Sequence, residues 1–154
     1  MLELSTRPLT DTCEEIARVW QLLSGQTASF VRCAAWQPAA PGHCVTLPVQ
    51  WDTRQVTVLL CVGAESARAL AAHMFGAADA DLSVDQVEDV CREMCNQLCN
   101  CLMAHAIPGE RFTPGLPRTV DWTNVDRAPL LQGTPWHAFH STGAGQAIMV
   151  AVTR

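Results

Sequence analysis

Ser83-Val-Asp-Gln86-Val-Glu-Asp89-Val-Cys-Arg-Glu93-Met-Cys-Asn96-Gln-Leu-Cys-Asn100-Cys-Leu-Met-Ala-His-Ala106 is an uninterrupted helical stretch, bounded by a serine before it and Pro108-Gly109 after it. Ser83 with Gln86 three residues on forms a capping box, in which side chain and backbone satisfy each other's orphan groups at the helix start. At 3.6 residues per turn, Val84, Val87, Cys91, Cys95, Leu98 and Leu102 fall on one stripe. Asp89, Glu93, Asn96 and Asn100 fall on the other side. Asparagine is a poor interior helix residue because its amide competes for backbone groups. Two asparagines on one polar face therefore point to a surface built for contact, roughly 16 Å long over eleven residues at ~1.5 Å per residue.

Upstream, Asp11 with Glu14, or Thr12 with Glu15, marks a capping-box start for a helix with the stripe Cys13, Ile16, Ala17, Trp20 and Leu23, closed by Gly25. Three β-type runs follow, Thr27–Ala35, Cys44–Trp51 and Val56–Val62. A turn spans Pro38–Gly42, and the short Asp52-Thr-Arg connection implies an antiparallel hairpin. A helix over Glu65–Phe75 carries Ala67, Leu70, Ala71 and Met74, with Gly76 placed to cap it. After the long helix, Pro108–Gly133 reads as loop with one short strand near Pro117–Trp122. Thr134–Ser141 and Gln146–Thr153, flanking Thr-Gly-Ala-Gly, read as a closing hairpin.

Helices that occur together, and strands joined by turns, argue for an α+β domain with a largely antiparallel sheet covered by two or three helices. The 154 residues, 49% hydrophobic, are the size of one domain spanning 1–154. With ten arginines and no lysine, a net charge of −5 and no basic run, nucleic acid is not an expected partner. No apolar run reaches the ~20 residues needed for a membrane span, so no membrane insertion is expected, and without a signal-type N-terminus a cytoplasmic location is.

Eight cysteines would suggest a disulfide framework. Four of them, Cys91, Cys95, Cys99 and Cys101, crowd into one helix without the second pair that a zinc site needs, so they read as reduced core residues and no metal site is expected. Trp136, His137, Phe139 and His140 invite a metal or acid–base reading, but His137 and His140 point to opposite faces of a strand. These two therefore read as surface or half-buried strand histidines, and His43, His73 and His105 are scattered on loops and helices with no nucleophile–histidine–acid arrangement. The phosphate-loop, dinucleotide and zinc-protease motifs are all absent, which leaves no support for an enzyme with its own deep pocket.

One pattern carries chemistry. Asp89-x₃-Glu93-x₂-Asn96, followed some twenty residues later by Pro117-Arg-Thr-Val, resembles the signature of the CheC/CheX/FliY family of chemotaxis phosphatases. The surround from about His43 onward, with a strand pair ending Val-Leu-Leu-Cys-Val and a helix ending Ala-Ala-His-Met-Phe-Gly, is similar to the CheX-like branch, which carries a single motif. Where that family commonly has Met-Ile-x-Gly after the asparagine, this chain has Gln97-Leu-Cys-Asn100. The resemblance implies a CheX-like fold and hydrolysis of the phosphoaspartate on a CheY-like response-regulator receiver domain. Glu93 and Asn96 would be the catalytic pair, and Asp89, Glu93, Asn96 and Asn100 would make up the partner-binding face. It implies no cofactor bound by this chain, with Mg²⁺ on the phosphorylated receiver instead, and a homodimer joined through sheet edges. The alternative is a non-catalytic receiver-binding or signalling interaction module of the same fold. A solvated helix face on a purely structural domain is the third reading.

Overall fold

The computed structural model describes residues 9–33, 42–120, 137–142 and 148–153. Within them lie helices α1 (Leu9–Ser24), α2 (Ala64–Phe75) and α3 (Val84–Ala106), and a 3₁₀ turn at Asp79–Asp81. The strands are β1 (Ser29–Cys33), β2 (Gly42–Trp51), β3 (Arg54–Gly63), β4 (Thr113–Pro114), β5 (Arg118–Val120), β6 (His137–Thr142) and β7 (Ile148–Thr153). They form one antiparallel sheet in the order β1-β6-β7-β3-β2, with β4 and β5 both on the outer edge of β2. The expected α+β class, the antiparallel hairpin of β2 and β3 and the closing pair β6–β7 are all present. The expected Pro38–Gly42 turn, the loop from 121 to 133, Trp122, Trp136 and the Thr-Gly-Ala-Gly turn fall wholly or largely outside the described residues.

The register explains which side chains meet the helices. Val45, Leu47 and Val49 pair with Leu60, Val58 and Val56, and Val150 and Val152 continue these rows through β7, with Phe139 opposite Val150 on β6. This face joins Ile16 and Trp20 of α1, Leu70 and Ala71 of α2, and Cys91, Met94, Cys95, Leu98 and Leu102 of α3 in one core. The opposite face is also buried at its centre, at Cys44, Leu59, Cys61, Ala138 and Ala151. This is why Val56–Val62 reads as a continuous apolar run rather than an alternating one. Gly42 opposite Gly63 is forced: a Cβ there would stand 2.0 Å from the carbonyl oxygen of Val62.

Both predicted ends of the central helices hold. The Ser83 hydroxyl accepts from the Gln86 backbone N–H at 3.1 Å, and the Gln86 side chain accepts from the Ser83 N–H at 2.9 Å. Gly76 adopts φ +61°, and its N–H bonds back to His73, capping α2.

Three expectations need correction. Val84 is not on the buried stripe but 68% exposed, because the first turn of α3 projects past the core, and burial begins at Val87. The buried arc of α3 is wider than one stripe and includes Val90, Met94, Cys99, Cys101 and Met103. Finally, α1 starts at Leu9, before either proposed cap; Thr12 lies inside the helix, buried against His105 of α3.

Candidate docking and catalytic face

The wide buried arc of α3 leaves a narrow polar strip. Asp89, Glu93, Gln97 and Asn100 are exposed and Asn96 is half-buried, so all four residues expected on one face do share it. Asn96 is more recessed than the expected open stripe, at the seam where the polar strip meets the packed side. Gln97 stands one turn beyond Glu93, and its Nε2 donates to Glu93 Oε1 at 2.9 Å. No hydrogen bond among the described residues takes up the second carboxylate oxygen of Glu93.

The strip is flanked by β5. This strand begins directly after Pro117, and Thr119 lies opposite Val45, on the helix-covered side of the sheet. Arg92 of α3 donates from Nη1 to Thr119 Oγ1 at 2.8 Å. Its Nη2 is hydrogen-bonded to the Asp89 carboxylate, and Glu88 lies 3.9 Å from Nη1. Asp89 is therefore already engaged within the chain. Sequence reading missed Arg92 and Gln97. The spacings i+3 from Asp89 and i+4 from Glu93 signalled both contacts. Nothing in the sequence signalled Thr119.

The thiols behind the strip are inert. Cys91, Cys95, Cys99 and Cys101 are free and buried, and burial pushes the Cys91, Cys99 and Cys101 thiols up to about 12. On the opposite face of the sheet Cys44 and Cys61 place their sulfurs 2.6 Å apart, and burial raises the Cys61 thiol far above its ordinary range. A thiol that cannot ionise is neither a nucleophile nor a ready metal ligand. Among the described residues no group of three or more His, Cys, Asp and Glu could hold a metal ion.

The histidines are less scattered than the sequence suggested. His137 is buried rather than superficial, and its ring meets that of His105 edge-on at 4.6 Å between centroids. Thr12 Oγ1 and His105 Nδ1 share a hydrogen bond of 2.9 Å, while His105 Nε2 is buried without a partner among the described residues. Burial first, and the charge of Arg32 second, lower the His105 pKa below its ordinary 6.5. The unfolded chain thus takes up a proton that the native core refuses. The stabilisation is complete above about 6.5 and is lost as pH falls from there through the lowered native value. Urea midpoints should therefore drop between pH 7.5 and 5.5, and His105→Gln, which cannot titrate, should show a shallower drop. Equal drops in both proteins would exclude His105 as the source.

No helix among the described residues is long and apolar enough to cross a membrane. No family model matches the chain, and no curated protein sequence matches it. Solved structures do match over nearly its whole length. The chemotaxis protein CheX from Vibrio vulnificus superposes with a TM-score of 0.73 at 10% identity, covering 92% of this chain and 95% of that one. CheX in the CheX–CheY–BeF₃–Mg²⁺ complex from Borrelia burgdorferi gives 0.68 at 12% identity, over 95% and 97%. The FliM of a FliM–SpeE complex from Helicobacter pylori gives 0.60 at 9%, over 93% and 81%. With three helices packed on a seven-stranded antiparallel sheet among the described residues, and α3 carrying the polar strip, this chain has the CheX-like fold of the chemotaxis proteins.

Proposed function

We propose that this protein hydrolyses the phosphoaspartate of a CheY-like receiver domain, with Glu93 and Asn96 as its working residues. The observation that carries the reading is that these two side chains share the one polar strip of a helix whose other side is fixed in the core. The match to a CheX crystallised with CheY, BeF₃ and Mg²⁺ supports the choice of partner. The same fold in FliM bound to SpeE means that the fold alone does not decide the activity. The reading therefore rests on the two motif side chains, Glu93 and Asn96.

An acyl phosphate already carries a good leaving group, so a positioned water is the missing element. A carboxamide accepts and donates at once, which lets Asn96 hold a water in line with the phosphorus without acting as a strong base. As the water oxygen bonds to phosphorus, the acyl P–O bond breaks and its electron pair leaves with the receiver's aspartate; the water proton ends on the phosphate. The Mg²⁺ belongs to the receiver, where it neutralises phosphoryl charge. Glu93, exposed on the strip, anchors it on a cationic group of the receiver, and Asn100 extends the docking surface one turn further. No deep pocket is required, because the receiver supplies half of the site.

Glu93→Ala tests the anchor. It should weaken receiver association by about ten-fold and lower turnover at subsaturating receiver. Unchanged affinity would remove the anchoring role. Receiver binding without any gain in dephosphorylation in the unmodified protein would favour the non-catalytic docking module instead.

A further inference from the structure

The geometry points to Asp89 as a positioning residue that acts through Arg92 to hold β5 against α3, rather than as a contact for the partner. The inference rests on the docking face proposed above, and it changes the part Asp89 plays in it. The Asp89 carboxylate is taken up by Arg92 Nη2, while Nη1 of the same guanidinium reaches Thr119 Oγ1 at 2.8 Å. A planar fork can serve two acceptors in fixed directions at once, which a lysine ammonium does not reproduce. The Arg92 and Glu88 side chains are each 30% exposed, whereas Asp89 and Thr119 stand open to water, so the brace runs along the surface of α3 and β5.

Strand β5 depends on such a brace. It is three residues long and is registered on β2 through Val120, Thr119 and Arg118, opposite Cys44, Val45 and Thr46. Thr119 faces the helix side, so its hydroxyl is the group of β5 placed to meet α3. Pro117 removes one backbone donor just before the strand. In this chain the first acidic residue of the motif and the strand behind its proline are thus the two ends of one connection, Asp89–Arg92–Thr119. That connection sets where β5 stands against α3, the helix that carries Glu93 and Asn96. If Asp89 is lost, the guanidinium is free to turn toward Glu88, the other carboxylate within reach, and away from Thr119.

The test compares Asp89→Asn and Thr119→Val, each close to isosteric, singly and together, with Thr119→Ser as the variant that keeps the hydroxyl. Backbone amide exchange over residues 118–120 should speed up about ten-fold in each single variant. The double variant should exchange no faster than either single, and Thr119→Ser should match the unmodified protein. The stimulated dephosphorylation of the receiver should fall by a similar factor of about three in both singles, again without adding in the double. The inference is overturned if Asp89→Asn weakens receiver association while exchange at 118–120 stays unchanged, or if Thr119→Val is silent in both measurements. If the unmodified protein acts on no receiver, the phosphatase reading falls, and the exchange data still decide the brace.

Discussion

Asn96→Ala should cut receiver dephosphorylation by at least about 100-fold, toward the receiver's own rate, while the protein stays as stable as before. The large loss follows from the role proposed for the side chain: a water that is no longer held in line forfeits the advantage of orientation, which is worth factors of this size even for small displacements. Little stability should be lost, because Asn96 sits at the edge of the packed side of α3 and no hydrogen bond ties it to another described residue. Alanine is also the better helix former by a few tenths of a kcal/mol. Melting temperature and receiver affinity, measured beside turnover, separate this from unfolding and from lost docking. A variant that binds, melts normally and still turns over at full rate would sink the water-positioning role.

The second large effect lies in the core. Trp20 of α1 is fully buried among residues of α1, α2, α3 and the sheet. Trp20→Ala should destabilise the protein by about 3–5 kcal/mol, through lost transfer energy and an incompletely collapsed cavity. At this chain length that corresponds to a melting temperature lower by roughly 10 °C. The indole Nε1 is buried with no hydrogen-bond partner among the described residues, so it contributes a desolvation penalty. Trp20→Phe removes that penalty along with part of the ring, and should cost no more than about 1.5 kcal/mol. Thermal melts of the two variants check both numbers. A loss in Trp20→Phe well above that figure would mean that the indole nitrogen is satisfied in the native protein.

The elements whose reasons are local were readable in the sequence. Ser83 and Gln86 sit three apart, Gly76 ends an apolar helix, and Asp52-Thr53 separates two β-type runs; in each case neighbours in the chain supply the physics. The polar strip was readable for the same reason, since Asp89, Glu93, Asn96 and Asn100 are related by helical period alone. What escaped was long-range. Thr12 looked like a cap because threonine favours that position, but His105, 93 residues away, gives its hydroxyl a partner inside the helix. His137 looked superficial because nothing nearby in sequence announces that it meets His105. The two-residue strand β4 has too little sequence to carry a period; its pairing with Val49 and Gln50 is set by the sheet. Asp89 read as a contact for the partner; helical spacing alone pairs it with Arg92, but the link on to Thr119 lies on another element and left no mark in the sequence.

The sulfur-rich packing of α3 has a consequence for handling the protein as well as for its fold. Native burial keeps Cys44, Cys61, Cys91, Cys95, Cys99 and Cys101 out of reach of oxidants, but unfolding exposes these six at once, in a chain that carries eight cysteines. Eight thiols can pair in 105 ways. In air, disulfide formation then competes with refolding, and mispaired chains cannot rebuild an α3 whose buried side requires free thiols. Unfolding is thus reversible only where a reductant keeps pace with it, and without one the lifetime of the native state, rather than its free energy, governs how long the protein survives.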